Sequence, residues 1–225
     1  MPYLLSEALD EMEKALMDTG NAYWSTAQLT RALRQALHLF NSYSPRRAVA
    51  DVTLTAGSRE ATLSLAGLMA VVNVWYPYTS TDPEYPPNVA SWRMLTDTVL
   101  YLDAADLPET GDKARVFYLA QHTIQNLDSA TGTTLSAVQE EIVLALAAGH
   151  ACEQRAADAI GEINVSDWTP IHWMNEGQRR IANALAQLGA LDRQGQRGDS
   201  YPRSWPLDKW DSSDRYGAEY HIVNR

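Results

Sequence analysis

Residues 25–55 read STAQLTRALRQALHLFNSYSPRRAVADVTLT, and the period of the apolar residues changes within this stretch. Ser25 and Gln28 have the spacing of a capping box, in which each side chain binds the backbone amide of the other residue. Apolar residues then recur every three or four positions, which predicts an amphipathic helix. The helix ends at Ser44, because a residue before proline, here Pro45, is pushed out of the helical region. Alternating apolar and polar residues follow, as in a strand.

The chain before this stretch is also predicted to be helical. Residues 3–20 repeat apolar side chains at helical spacing, and residues 20–24 break the repeat. Trp24 and Leu29 flank the helix start as a hydrophobic staple would. The second helix then buries a stripe formed by Leu29, Ala32, Leu33, Ala36, Leu37 and Phe40.

The chain after this stretch is predicted to form strands. Apolar residues alternate at 50–55 and again at 61–65, and the turn at 56–59 between them predicts a hairpin. Apolar or β-branched runs at 68–76, 99–102 and 116–119 predict further strands. Five or more short strands with turns between them indicate a small antiparallel sandwich or barrel.

Helical periodicity returns in the last third. Ser136 and Gln139 form a second capping box, a helix continues to about Ile160, and Thr169 with Pro170 opens a fourth helix. Small residues in the third helix would let another backbone approach closely: Ala145, Ala147, Ala148, Gly149, Ala151, Ala156 and Ala157. In the fourth helix we expect the following residues to face inward: Ile171, Met174, Ile181, Leu185 and Leu188.

The order of elements predicts an α+β fold. Residues 1–45 and 132–191 form a helical bundle of four main helices, residues 46–131 form an inserted small antiparallel β domain, and residues 192–225 form an extended C-terminal tail.

The tail is predicted to bind a partner. It has six acidic and six basic residues, and therefore no net charge. Tyr, Trp and Arg dominate the binding energy of protein interfaces, and within about 20 residues the tail carries Tyr201, Arg203, Trp205, Trp210, Arg215, Tyr216 and Tyr220. The alternative is that the tail folds back over its own domain.

Composition excludes several classes of function. The chain has 225 residues and a net charge of −10, from 28 acidic and 18 basic residues. Sequence-independent binding to nucleic acid or to anionic lipid needs a basic surface. Cys152 is the single cysteine and cannot form an intrachain disulfide, which fits a reducing compartment. We expect no secretory signal and no membrane span, because neither pattern occurs.

The side chains that could support catalysis or metal binding do not form the patterns that such chemistry needs. His172 and Glu176 lie four residues apart, and His150, Cys152 and Glu153 cluster on one predicted helix. Neither set has three ligands at the spacing of a zinc site. The sequence also has no nucleophile elbow, Walker A motif or dinucleotide-binding glycine motif. We therefore expect no cofactor or metal, although the histidines at 38, 122, 150, 172 and 221 leave acid–base chemistry open.

Six short stretches, in a fixed order, carry a resemblance to a known family. They are 23–29 (YWSTAQL), 42–46 (SYSPR), 55–65 (TAGSREATLSL), 72–77 (VNVWYP), 116–122 (VFYLAQH) and 140–143 (EEIV), the last running on into Ala156. Together they cover about residues 20–160. In these stretches and their order, the chain resembles the head–tail connector or adaptor (neck) proteins of tailed bacteriophages and prophages.

The resemblance implies a structural virion protein without catalytic activity. Such proteins form a ring, usually of twelve copies, below the portal, extend the DNA channel and join the head to the next neck or tail protein. DNA would pass without specific binding, and no membrane would be involved. The location implied is the virion neck, after assembly in the host cytoplasm.

The resemblance also suggests a role for each part of the chain. The helices at 3–44 and 134–190 would pack copy against copy, and the β insert would project to contact a neighbour. The tail would bind the portal or a neighbouring subunit. An acidic body suits a DNA conduit, because like charges keep DNA from adhering to the wall.

Two alternatives remain at this point. The first is another virion protein, such as a stopper, a tail terminator or a baseplate subunit. The second is an enzyme or a ligand-binding module that uses the β insert as a pocket lined by Trp75, Trp92 and Tyr101. Aromatic residues in strands more often belong to the core.

Overall fold

The structure is a computed structural model that describes residues 4–79, 88–159 and 170–197, with side chains through Leu191. Its helices are α1 (Leu5–Ala15), α2 (Thr26–Tyr43), α3 (Ala137–Ala159) and α4 (Pro170–Arg197). Its strands are β1 (Arg46–Thr53), β2 (Glu60–Thr62), β3 (Leu68–Trp75), β4 (Ser91–Met94), β5 (Val99–Asp103) and β6 (Lys113–Ala120). The predicted α+β class is confirmed, and α4 continues through residues 192–197.

The four helices surround one hydrophobic core, here called the helical core. All six residues of the predicted α2 stripe are buried in it. The capping box of α2 is also present, since Ser25 Oγ accepts from the Gln28 amide at 3.3 Å and Gln28 Oε1 accepts from the Ser25 amide at 2.8 Å. Trp24 is buried in the same core as Leu29, as a staple requires. Local sequence signals therefore set both the start and the inward face of α2.

The helices α3 and α4 cross at two glycines. A Cβ added at Gly149 would lie 2.6 Å from Ile181 Cγ1, and one added at Gly177 would lie 2.8 Å from the Gly149 carbonyl oxygen. The close approach expected from the small residues of α3 thus occurs at this crossing. One expectation for α4 was wrong: Ile171 is 64% exposed, because at helical spacing it lies on a different face from the buried Gly177, Ala184 and Leu188.

The six strands form two antiparallel sheets that share a second core, here called the sandwich core. One sheet has the order β1-β6-β3 and the other β2-β5-β4. Inward-facing residues of both sheets meet in the sandwich core, among them Val74, Val116, Leu100 and Leu102. The predicted antiparallel sandwich is therefore present. β4 was not among the strands that the sequence predicted.

The predicted hairpin between residues 50–55 and 61–65 is wrong. β1 pairs instead with β6 over eight residues, from Arg46 opposite Ala120 to Thr53 opposite Lys113. β2 pairs with β5, so the turn at 56–59 carries the chain from one sheet to the other. Pairing with β6 extends the antiparallel ladder over all eight residues of β1, whereas pairing with the three-residue β2 would give a much shorter ladder.

A short junction fixes the sandwich to the helices. The chain passes from α2 into β1 through Ser44 and Pro45, and it returns from β6 to α3 through residues 121–136. Asn41 ties the two passages together: its Oδ1 accepts from the His122 amide at 2.7 Å, and its Nδ2 donates to the His122 carbonyl at 3.4 Å. Asn41 and His122 are both buried, so these bonds lie within the junction.

Candidate interaction surfaces

The seven tail residues predicted to bind a partner lie outside the described residues. These are Tyr201, Arg203, Trp205, Trp210, Arg215, Tyr216 and Tyr220. Their role stays a prediction.

The side chains considered for chemistry take part in structural contacts. Cys152 is buried in α3, and burial raises the pKa of its thiol to about 11. His150 Nδ1 lies 3.2 Å from Glu153 Oε2. Glu176 pairs with Arg180 at 2.7 Å and with Arg179 at 2.8 Å. Within residues 4–79, 88–159 and 170–197, no group of three or more potential metal ligands occurs.

The three aromatic residues considered as a pocket do not converge. Trp75 belongs to the β1-β6-β3 sheet and contacts the ring of Phe117, with 4.6 Å between ring centroids. Trp92 belongs to the other sheet and packs against the sandwich core. Tyr101 lies on the opposite face of that sheet, where the guanidinium carbon of Arg93 lies 4.7 Å from the centroid of the Tyr101 ring. Their side chains have three different surroundings and cannot line one ligand site.

A cavity of about 560 Å³ lies at the junction of the helices and the sandwich; we call it the junction cavity. Its apolar wall includes Leu37, Ile124 and Leu127. Its polar wall is formed by α2, the start of β1 and the loop at 121–134. Several loop residues have positive φ, including Asp128 at 50° and Ser129 at 65°, and this folds the loop back toward α2.

The charged residues of the junction cavity are Arg34, Arg46 and Asp128, and the imidazoles of His38 and His122 also line it. Arg34 binds Asp128 through Nε at 2.9 Å and Nη2 at 2.6 Å, and this bond holds the pKa of the Asp128 carboxyl below its usual value. Arg46 Nε is buried and has no hydrogen-bond partner among the described residues. Arg46 therefore lines the cavity without an ion-pair partner among the described residues.

A second surface, of opposite charge, lies in the loop between β5 and β6. We call residues 103–112 the acidic tip. Asp103, Asp106 and Glu109 are exposed there, and Leu107 is 49% exposed between them. Burial, a hydrogen bond to Asp112 and the negative charges of the tip together raise the pKa of the nearby Tyr76 hydroxyl to about 12.

Hydrogen bonds from the rest of the sandwich hold the acidic tip in shape. Arg59 donates through Nε to the Ala104 carbonyl at 3.0 Å and through Nη2 to the Ala105 carbonyl at 3.1 Å. The Gly57 amide donates to the Pro108 carbonyl at 2.8 Å. Asp112 Oδ2 accepts from the Glu109 amide at 2.9 Å. The tip is thus preorganised.

A third surface is the outer face of the β1-β6-β3 sheet. Val49, which is 52% exposed, lies opposite Phe117 in the register of β1 and β6. Leu119 and Trp75 are half-buried on the same face. Trp75 Nε1 is buried without a hydrogen-bond partner in the described part of the chain. The face is therefore largely apolar, with a polar side at Asp51 and Arg115, which pair at 2.7 Å.

Sequence reasoning missed the junction cavity and gave little weight to the acidic tip. The charge pattern along the chain could have identified both. Residues 19–50 contain four arginines, at 31, 34, 46 and 47, and no acidic residue. Residues 94–112 contain five acidic residues, at 97, 103, 106, 109 and 112, and no Lys or Arg.

Among the described residues, no helix is both long and apolar enough to cross a bilayer.

No protein-family model and no curated protein matches the chain. Solved structures do match it. A chain in a structure described as the neck of a native GTA particle computed with C12 symmetry is 17% identical, with a TM-score of 0.29, and the match covers 80% of this chain and 92% of that one. A chain in the neck of an empty GTA particle computed with C6 symmetry is 17% identical, with a TM-score of 0.28 and coverage of 76% and 87%.

A third match is a chain in the virion of a native gene transfer agent (GTA) particle. It is 18% identical, with a TM-score of 0.29, and the match covers 76% of this chain and 86% of that one. The structural neighbours of this chain thus come from the necks and the virion of phage-like particles.

Proposed function

We propose that this protein is a structural component of a phage-like virion neck. It acts as a head–tail adaptor: copies form a ring below the portal, extend the DNA channel and join the head to the next neck or tail protein. The tail at 192–225 binds the portal or a neighbouring subunit. The protein resides in the virion after assembly in the host cytoplasm, and it does no chemistry.

The observation that carries this proposal is the location of the six resembling stretches within the fold. Residues 23–29 contain the start of α2, residues 42–46 are the passage from α2 into β1, and residues 116–122 are the return from β6. The last two of these segments attach the sandwich to the helices. The resemblance therefore extends over the architecture of the body and is not confined to one motif.

The charge of the chain supports a passive role toward DNA. At a net charge of −10, the body as a whole repels a polyanion. Sequence-independent binding to DNA instead requires several Lys or Arg contacts to phosphate on one surface. DNA in the channel would accordingly slide past this protein without being held.

The direct test is to mix the full-length protein with the portal protein of the same particle and to image the product by electron microscopy. We expect a ring of this protein attached to the tail-facing end of the portal, coaxial with its channel. A portal that stays bare at saturating concentrations of the protein would contradict the adaptor role.

The same images discriminate between the adaptor and the other virion proteins that the sequence left open. A stopper or a tail terminator would bind a neck or tail component rather than the bare portal. A ligand-binding module would form no ring on either.

A further inference from the structure

We infer that the acidic tip of one copy inserts into the junction cavity of the next copy, and that this head-to-tail contact links the subunits of the ring. The inference rests on the proposed function, because it names the surfaces by which the proposed ring is built. The occupant of the cavity is therefore a second copy of this chain.

Charge complementarity is the first argument. The cavity wall contains Arg34 and Arg46 against one carboxylate, Asp128, which Arg34 already binds, so the half-buried Arg46 has no acidic partner among the described residues. The tip presents exposed carboxylates at Asp106 and Glu109. A carboxylate that accepts a hydrogen bond from a guanidinium forms one of the stronger polar contacts in proteins. The tip thus offers a carboxylate to the arginine of the cavity that has no acidic partner.

Shape and polarity are the second argument. Leu107 projects from the tip between acidic residues, and the cavity combines basic groups with an apolar wall at Leu37, Ile124 and Leu127. A volume of about 560 Å³ lies within the range of pockets that enclose a drug-sized ligand, so it has room for a few side chains of the tip. Insertion would bury an exposed leucine and place the acidic groups beside the arginines.

The positions of the two surfaces are the third argument. The strand β6 begins at Lys113, directly after the tip, and ends at Ala120, directly before the cavity residues Gln121 and His122. The two ends of this strand are about 24 Å apart at the usual rise per residue. A tip held at one end of a sheet cannot reach a cavity at the other end of the same sheet. A contact between the tip and the cavity would therefore join two different copies.

Contacts between two different surfaces of identical subunits are heterologous, and such contacts generate rings when the rotation between subunits closes. A self-complementary contact would instead stop at a dimer. The tip is also held by Arg59 and Gly57 before any partner arrives, so little ordering entropy is lost on insertion.

The test uses two charge-reversed variants of the full chain. The tip variant carries Asp106→Lys and Glu109→Lys, and the cavity variant carries His38→Glu and Arg46→Glu. Each variant alone places like charges against each other, which should weaken self-association by roughly tenfold or more. Self-association is measured by sedimentation velocity over a concentration series and by counting rings assembled on the portal.

An equimolar mixture of the two variants is the decisive sample. In a ring in which the two variants alternate, the lysines of the tip variant face the glutamates of the cavity variant. The native tip of the cavity variant faces the native cavity of the tip variant. Every contact in such a ring therefore joins opposite charges. We expect the mixture to assemble like the wild type, which a misfolded variant could not do. A control with Asp10→Lys and Glu141→Lys makes the same charge change at two exposed helix positions and should assemble normally.

Cross-linking gives a second readout. We expect a chain with Leu107→Cys and Thr131→Cys to form an oxidation ladder of covalent multimers, because Thr131 lines the cavity. Cys152 is buried and should not compete. A control pair, Leu107→Cys with Glu141→Cys, should give no ladder.

The outcomes separate this inference from the proposed function. If the wild type forms rings but the tip variant forms them equally well, or if the mixture fails to recover, the tip-to-cavity contact is wrong and the adaptor role stands. If the tip links copies that never attach to the portal, the contact stands and the adaptor role is wrong. If the wild type assembles neither in solution nor on the portal, both are overturned.

Discussion

Asp18 holds the break between α1 and α2 in one conformation. Its carboxylate accepts hydrogen bonds from the backbone amides of Ala22, Tyr23 and Trp24 at 2.8, 2.9 and 2.9 Å. Burial raises the pKa of Asp18, and these three hydrogen bonds lower it by more, so its pKa lies below the usual value. The buried carboxylate thereby satisfies amides that precede α2 and places Trp24 in the helical core.

We expect Asp18→Asn to lower the free energy of unfolding by about 1–3 kcal/mol, because a charged acceptor of three buried or partly buried amides is lost. Because the folded pKa of Asp18 is lowered, its contribution is present above about pH 4 and disappears as the pH falls through the folded pKa. Urea unfolding at pH 7 and pH 3 measures both effects. Asp10→Asn, at an exposed position of α1, is the matched control and should change stability little.

His122 carries the second pH effect at the residue scale. Burial in the junction lowers its pKa, and the charge of Arg46 adds to this, whereas a hydrogen bond with Thr134 opposes it. The folded state therefore favours the neutral imidazole, and acid favours the unfolded state. The contribution of His122 to the free energy of unfolding is complete above about pH 6.5, and it is lost as the pH falls toward the pKa of His122 in the folded protein.

We expect His122→Gln to flatten the loss of stability between about pH 6.5 and pH 5, because the group that must be protonated on unfolding is gone. The measurement is the urea midpoint as a function of pH. An unchanged slope in His122→Gln would show that another group is responsible.

At the scale of elements, the crossing of α3 and α4 depends on two glycines. The Gly149 carbonyl oxygen and the Glu153 backbone nitrogen would lie 2.8 and 3.2 Å from a Cβ at Gly177. These neighbours are backbone atoms and cannot move without shifting α3. Alanine would otherwise favour the helix by about 1 kcal/mol, so steric contact and helix propensity oppose each other at this position.

We expect Gly177→Ala to destabilise the protein by about 1–3 kcal/mol, because overpacking against backbone outweighs the gain in propensity. Gly189→Ala in the same helix has no atom within 4 Å of the added Cβ, and it should be neutral or stabilising by up to about 1 kcal/mol. Thermal and urea unfolding of the two variants compare the same substitution with and without the close contact. Equal effects at both positions would contradict the role of the crossing.

At the scale of the whole molecule, the described chain has two cores joined by one compact junction. The helical core contains residues from α1, α2, α3 and α4, and the sandwich core is built from the strands alone and their flanking residues. In the part of the chain that the structure describes, both cores are formed by residues up to Leu191.

We expect deletion of residues 200–225 to leave a soluble, folded body that no longer joins the portal. The reason is that the interface aromatics and arginines lie in the deleted segment, whereas both cores remain. Circular dichroism checks the fold, and co-sedimentation with the portal checks binding. Portal binding retained by the truncated chain would show that the tail is not the portal contact.

The sequence by itself determined the α+β class, the four helices, the inward stripe of α2 and most of the strands. These features depend on interactions between residues close in the chain, such as the Ser25–Gln28 box and the alternation along β1, and such interactions leave a periodic pattern. Only the tertiary structure decided which strands pair and where the charges meet. Alternation specifies which face of β1 is buried but not its partner, so the eight-residue pairing with β6 stayed hidden. The junction cavity and the acidic tip likewise exist because folding places the two ends of one sheet beside residues that are distant in the chain.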